Sequence, residues 1–312
     1  MIRTNGIELH VTEAGSGPPV VLCHGFPELG LSWRHQMKPL AAAGYRVLAP
    51  DQRGYGRSSR PEAVEDYDIV HLTDDLLGLL DGIGEERAVF VGHDWGSMVV
   101  WNLSLRAPER VAGVVGMSVP FVPRPAAPPT VLFRQLFGDN FFYMLYFQAP
   151  GVADADLGRD VATTMRRVLG GRADDPPADL FGPDDGRGFV ERLPEPSALP
   201  DWLAVDELDQ YITEFGRTGF TGALNWYRNL DRNWELMPDF ADTKVTMPAA
   251  FIAGAADPVL MMTSPANMDG WVLDLRATVL VEGAGHWVQQ QQPDAVNGAL
   301  LGFLAEVWPS RR

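Results

Sequence analysis

The apolar run Val89-Phe90-Val91 ends in Gly92-His93-Asp94-Trp95-Gly96-Ser97, with a glycine two residues to either side of Asp94. This is the spacing of a nucleophile elbow, a sharp strand-to-helix turn that exposes its central side chain, with aspartate where serine commonly stands. Small residues suit such a turn because strand and helix approach closely. The motif alone says little and gains weight from lying between a strand pattern and a helix pattern. The competing reading is that Asp94 caps the helix starting near Gly96. The residue type selects the chemistry. A serine attacking an sp3 carbon would leave an ether, which water does not readily cleave. A carboxylate leaves an ester, which activated water can hydrolyse. The electrophiles that fit are epoxides and alkyl halides.

An ester requires a base to activate water, and the base requires an orienting acid. Of the six histidines, His286 in Gly285-His286-Trp287 lies just past the last strand pattern and before the last helix pattern. His10 and His35 read as surface or local packing residues, and His71 as part of an exposed helix. His93 reads as buried beside the turn, and His24 opens a loop. Asp257 follows the strand Ala249–Gly254 in Ala255-Ala256-Asp257-Pro258. The order Asp94, Asp257, His286 is nucleophile, acid, base. Asp242 precedes its strand and Glu282 sits inside one, which makes both poorer candidates.

The first strand runs into His24-Gly25-Phe26-Pro27-Glu28. The backbone N–H of Phe26, with that of Trp95, can form an oxyanion hole. Pro27 has no N–H to contribute. Opening an epoxide also needs an acid for the leaving oxygen, and a phenol can donate to an alkoxide. Tyr143 and Tyr146 in Phe141–Phe147, and Tyr227 in Asn225–Asn229, are the candidates. Their spacing does not choose among them.

These residues need a frame. Short apolar runs at Val20–His24, Arg46–Asp51, Ala88–Gly92, Val111–Val119, Ala249–Gly254 and Thr278–Glu282 alternate with helical spacing. The helical segments are Ser32–Ala43, Ile69–Ile83, Gly96–Arg106 and Pro293–Trp308. That alternation predicts an α/β fold with a parallel sheet covered on both faces. His10–Ala14 adds an N-terminal strand. The alternation breaks at Pro120. A proline-rich stretch, an aromatic one over Phe133–Phe147, a Gly/Pro/Asp loop over Gly170–Gly188 and helical spacing over Asp206–Phe215 follow, to about Asp239. This reads as a helical cap, residues 121–239, inserted into a core of residues 1–120 and 240–312. The cap should cover the carboxyl edge of the sheet, where such folds place ligands. Asp51–Ser58, rich in glycine and charge, reads as an Asp–Arg turn lock without chemistry.

The chain has 312 residues, 46% hydrophobic, and a net charge of −16. It is long enough for a full core. Its acidity argues against nucleic acid or an anionic membrane as partner. The single Cys23 allows no internal disulfide and suits a reducing compartment. Met1–Gly6 shows no signal-peptide pattern, and no apolar run approaches the roughly 20 residues of a membrane span. The expected location is cytoplasmic.

Taken together, His24–Glu28 (HGFPE), Asp51–Ser58 (DQRGYGRS), Gly92–Gly96 (GHDWG), Tyr143–Gly151 (YMLYFQAPG), Gly222–Trp234 (GALNWYRNLDRNW) and Gly285–Trp287 (GHW) resemble the soluble epoxide hydrolases of the α/β-hydrolase superfamily, bacterial members most of all. The resemblance covers nearly the whole chain. It implies an α/β-hydrolase core, with a mostly parallel eight-stranded sheet flanked by helices, and an inserted helical cap. It implies Asp94 as nucleophile, Asp257 and His286 as charge relay, and Tyr143 and Tyr227 as cap acids, leaving Tyr146 as packing. The pocket would be lined by Phe26, Trp95, Phe133, Phe137, Phe147, Leu180 and Trp287. The expected partner is a small neutral epoxide, with no cofactor, metal, nucleic acid or membrane insertion, and with a homodimer as the assembly to consider. Ser97 stands where the family often has Gly or Ala, and Ala149 where it often has Glu; both departures bear on substrate shape.

The nearest rival is a dehalogenase of haloalkane or fluoroacetate type using the same aspartate. Haloalkane dehalogenases often carry Asn after the His-Gly dipeptide, and Phe26 offers no such donor. Fluoride release is harder to set aside, since tyrosine can donate to fluoride. A non-catalytic ligand-binding relative would not require Asp94, Asp257 and His286 together.

Overall fold

The computed structural model describes residues 1–171 and 178–310. The strands are β1 (Ile2–Thr4), β2 (Ile7–Leu9), β3 (Val11–Ala14), β4 (Pro19–Cys23), β5 (Arg46–Pro50), β6 (Ala88–His93), β7 (Val111–Met117), β8 (Ala249–Gly254) and β9 (Leu275–Val281). Seven of them form one sheet in the order β3-β5-β4-β6-β7-β8-β9, with only β3 antiparallel to its neighbour. Every residue of β4, β6, β7 and β8 is buried. Their unbroken apolar runs therefore belong to strands covered on both faces. The edge strand β9 is exposed at every second position up to Leu280, as a strand wetted on one face should be.

The helices between β4 and β7 are α1 (Arg34–Ala42), α2 (Ile69–Ile83) and α3 (Trp95–Arg106). Those between β7 and β8 are α4 (Pro129–Phe137), α5 (Tyr143–Tyr146), α6 (Val152–Gly158), α7 (Val161–Leu169), α8 (Phe189–Arg192), α9 (Val205–Thr218), α10 (Thr221–Arg228) and α11 (Leu230–Leu236). Then come α12 (Val259–Met262), α13 (Val288–Gln291) and α14 (Pro293–Val307). Side chains of β4 alternate between two buried clusters. Val20 and Leu22 pack with Met37 and Leu40 of α1 and Leu300 and Leu304 of α14. Val21 and Cys23 pack with Leu72, Leu76 and Leu79 of α2 and Val99 and Leu103 of α3. The leucines of α2 recur at helical spacing and form its buried stripe. Asp68 accepts a bond from the His71 N–H at the start of α2, and Gly84 closes it with a left-handed backbone.

Among the described residues the main sheet has seven strands, a correction to the eight expected. Asn5 and Gly6, both at positive φ, turn β1 back onto β2 as a separate hairpin. β5 ends opposite Val11 at Pro50, so the chain beyond finds other partners. The N–H groups of Glu8 and His10 donate to the hydroxyls of Ser59 and Ser58, at 3.0 and 2.9 Å. Only part of the 170–188 loop is described, residues 172–177 lying outside the described residues.

The Asp51–Ser58 segment is also not an Asp–Arg lock. Asp51 accepts from the Gly30 and Arg57 N–H groups and pairs with His10 at 3.0 Å. Arg53 instead forks onto Asp75 of α2. The segment seats the helices inserted after β7. Trp226 donates its indole N–H to the Arg53 carbonyl at 3.1 Å, and Arg217 reaches the Gly56 carbonyl at 2.7 Å. Elsewhere Arg34 of α1 forks onto Glu207 of α9, at 2.5 and 2.9 Å. Gly222 meets Gly54 so closely that an added Cβ would lie 2.6 Å from the Gly54 carbonyl oxygen. Gly222→Ala should therefore lower stability by about 1–3 kcal/mol, read as a lower urea midpoint. An unchanged midpoint would show that α10 is not held against this turn.

Candidate active site

The parallel register brings the carboxyl ends of adjacent strands level, with Cys23 opposite Gly92 and Gly92 opposite Gly116. The loops that leave these ends carry Phe26, Asp94, Ser118, Asp257 and His286. At the end of β6, Asp94 has φ 53° and ψ −120°, and its N–H donates to the Met117 carbonyl at 3.2 Å. Its side chain makes no capping bond to α3, which disposes of the capping alternative. Instead the Phe26 N–H donates to Asp94 Oδ1 at 2.7 Å, and the nearby Trp95 N–H adds to the stabilisation of the charged form. Gly96 is required by proximity, since a Cβ there would lie 2.1 Å from the Cys23 carbonyl oxygen.

His286 Nε2 lies 3.9 Å from Asp94 Oδ2. That is too long for a hydrogen bond, but a water could sit at about 2.8 Å from both atoms. On the ring's other side, Nδ1 is 3.2 and 3.3 Å from the two oxygens of Asp257. The Val259 N–H donates to Asp257 Oδ1 at 2.9 Å. This arrangement favours the tautomer with its proton on Nδ1 and a lone pair on Nε2. Burial alone would lower the His286 pKa; the Asp257 charge and bond, with further help from Asp94 and Glu28, outweigh it and raise it to about 9. Burial raises the Asp94 carboxyl above its ordinary value, against the pull of His286 and the two backbone donors. For Asp257 burial also pushes upward, but the His286 charge and the bonds from His286, Ser118 and Val259 hold it below its usual value.

The tyrosines divide. Burial, then the Asp94 charge, raises the phenols of both Tyr143 and Tyr227. Their ring centroids are 6.1 Å apart. Tyr146 instead donates to Asp156 at 3.3 Å, and burial followed by Asp156 pushes it up to about 12. Phe26, Trp95 and Phe147 surround the Tyr227 ring at centroid distances of 5.3, 5.1 and 5.1 Å. Trp287 lies against the His286 ring, at 4.6 Å. Phe133 and Phe137 pack on Phe142 at 4.9 and 4.1 Å. Leu180 is half-buried against the cluster that holds Phe26, Trp95, Phe147 and Tyr227.

Three residues at the site had no role assigned from the sequence, although His93 is buried beside the elbow as expected. Glu28 and His93 are fully buried and paired at 2.8 Å. His93 Nε2 lies 2.7 Å from the His286 carbonyl oxygen. Glu28 also accepts from the Gly25 N–H and from the amides of Gln289 and Gln290. Burial would raise the Glu28 carboxyl, but the His93 charge and bond outweigh that and lower it. A charged residue in an otherwise apolar loop was the available signal, because buried charges need partners. The third is Ser118, for which the sequence offered none. Ser97 is buried, and its hydroxyl donates to the Val119 carbonyl at 2.6 Å, holding the turn after β7.

The chain matches a family model described as the alpha/beta hydrolase fold over residues 18–293. It is 57% identical to a Mycobacterium tuberculosis protein named epoxide hydrolase A, over 97% of this chain and 96% of that one. Among solved structures, epoxide hydrolase A from Mycobacterium thermoresistibile superposes with a TM-score of 0.95 at 58% identity, covering 99% of this chain and 98% of that one. Potato epoxide hydrolase I superposes with a TM-score of 0.90 at 35% identity, covering 98% of each. The sheet order, the aspartate elbow and these likenesses have one reading: the chain belongs to the α/β-hydrolase superfamily and, within it, to the epoxide hydrolase family.

Proposed function

We propose that this protein hydrolyses small neutral epoxides to vicinal diols through an ester on Asp94. The observation that carries the reading is the division of labour on one carboxylate. Oδ1 is held by the Phe26 N–H at 2.7 Å, and Oδ2 faces His286 Nε2 at 3.9 Å. Oδ2 attacks a ring carbon, the carbon–oxygen bond breaks, and its electron pair goes to the departing oxygen. Tyr143 and Tyr227 donate to that oxygen as its charge appears. His286 then takes a proton from water, and the water oxygen attacks the Asp94 carboxyl carbon. The oxyanion forms on Oδ1, already held by the Phe26 N–H, with the Trp95 N–H as its proposed second donor. Its collapse expels the diol oxygen, which is protonated on leaving.

The electrostatics suit this sequence. Burial makes Asp94 a more basic, less solvated nucleophile. In the free enzyme the Asp94 charge helps His286 hold a proton. Ester formation removes that charge, so His286 gives up its proton more readily when it must act as base.

We also propose that residues 121–239 form the cap over a core of 1–120 and 240–312. Phe26, Trp95, Phe147 and Trp287 would line the pocket, with Phe133, Phe137 and Leu180 shaping it from behind. No helix among the described residues is long and apolar enough to cross a membrane; a cytoplasmic location and a homodimer are the readings we adopt for place and assembly.

In His286→Gln treated with styrene oxide, the ester should form and persist. Intact mass should rise by one substrate, and the adduct should map to Asp94. The parent should release diol and, given alkyl halides, no halide. Halide release without diol would overturn the reading in favour of a dehalogenase, and an unmodified His286→Gln would mean that His286 acts before the ester forms.

The phenols should act on the alkylation step alone. Tyr143→Phe or Tyr227→Phe should slow it by roughly 10–1000-fold, about 1.4–4 kcal/mol. The double variant should be nearly inert, and Tyr146→Phe should stay within a few-fold of the parent. Rapid alkylation by the double variant, followed in stopped flow, would place the acid elsewhere.

A further inference from the structure

Ser118 follows β7 and is fully buried. Its backbone has φ 68°, a left-handed conformation in a residue other than glycine, which persists only where surroundings hold it. Those surroundings are specific. The Ser118 N–H donates to the Ile252 carbonyl at 2.9 Å, and the Val119 N–H to the Met117 carbonyl at 2.8 Å. The Val119 carbonyl in turn accepts from the Ser97 hydroxyl and the Trp101 indole N–H, at 2.6 and 3.2 Å. The turn is thus clamped between β8 and α3.

It delivers one hydroxyl to the middle of the acid–base pair. Ser118 Oγ lies 2.5 Å from Asp257 Oδ2 and 2.9 Å from His286 Nδ1. A carboxylate only accepts, so the single hydroxyl proton goes to Asp257, leaving an oxygen lone pair for the Nδ1–H of His286. The direct contacts from Nδ1 to Asp257, 3.2 and 3.3 Å, exceed the roughly 2.7–2.9 Å of a strong charge-assisted bond. The nearest partner of the catalytic ring is therefore the serine.

We propose that Ser118 is a positioning residue that relays between His286 and Asp257, holding the imidazole in the tautomer and orientation needed to activate water. The proposal rests on reading His286 as the base of ester hydrolysis. No step passes through the Ser118 oxygen as nucleophile; its proton stays on the bond to Asp257. The other charged or titratable groups facing the His286 ring are Asp94 from the elbow and the buried Glu28 and His93, and none of them contacts Nδ1 in its place.

The test separates hydroxyl from backbone and one half-reaction from the other. Ser118→Ala removes the hydroxyl, Ser118→Gly removes it and relaxes the positive φ, and Ser118→Asn keeps a polar side chain that tolerates left-handed backbone. Ester formation and ester breakdown are timed separately in each. Breakdown should slow by roughly 10–100-fold in both Ala and Gly variants, with formation within about three-fold of the parent and ester accumulating. The Asn variant should recover most of the loss. Parent-like breakdown in the Ala variant, recovery in the Gly variant, or equal slowing of both steps would each overturn the proposal. In the resting enzyme, the downfield proton resonance of His286 Nδ1–H should move in Ser118→Ala; an unmoved resonance would also overturn it. A parent enzyme that forms no ester would instead defeat the reading of His286 beneath the proposal, a failure visible before any variant is compared.

Discussion

One carboxylate, held at a positive φ and largely out of water, is the constraint around which the rest of the molecule is arranged. Asp94 can stand in this turn only because Gly92 and Gly96 let β6 and α3 close on each other and on the Cys23 carbonyl. It can be used there only because the loop after β4 brings the Phe26 N–H to Oδ1. In the proposed mechanism that same bond later serves the oxyanion. The donor needs no rearrangement between the two half-reactions, and preorganisation of this kind is where oxyanion holes gain their effect.

Placing one charge in a dry site forces others to be placed with it. Asp257 is balanced by His286, Glu28 by His93, and Arg53 by Asp75 a layer below. Each pair is hydrogen-bonded beyond its partner, which buried ions require. The Glu28 pair reaches the base through the backbone, His93 touching the His286 carbonyl while His286 presents its ring to Asp94. It reaches the inserted helices through Gln290, whose amide donates to Glu28 and whose oxygen accepts from Arg34, the residue that also holds Glu207. The chain of contacts from α9 to the catalytic loop is continuous.

Much of this was legible in the linear sequence, and the pattern of what was not has a physical basis. The strands β4, β6, β7 and β8 announce themselves as apolar runs because both faces are covered, and α2 carries its boundaries in Asp68 and Gly84. The elbow is readable because sterics allow few residues beside it. The chain order of Asp94, Asp257 and His286 follows from the topology. Lost to the sequence were contacts between residues far apart with no local pattern. Ser118 meets residues 139 and 168 positions away, and a lone serine after a strand looks like any turn. Arg53 chose Asp75 over the nearer Asp51, whose oxygens were already taken by backbone N–H groups and His10. The strand count failed because β2 pairs with β1 as a hairpin, while the N–H groups of Glu8 and His10 go to the hydroxyls of Ser59 and Ser58. Tyr143 and Tyr146 could not be told apart by spacing; the structure separates them by which carboxylate each phenol feels, Asp94 or Asp156.

The central claim is that the new oxygen of the diol passes through the protein before it reaches the product. The most direct measurement is one turnover of an epoxide by excess enzyme in heavy-oxygen water. The account predicts a diol free of label and one labelled oxygen in the peptide containing Asp94. A labelled diol from that first turnover, with Asp94 unlabelled, would mean that water attacks the epoxide directly and would contradict it.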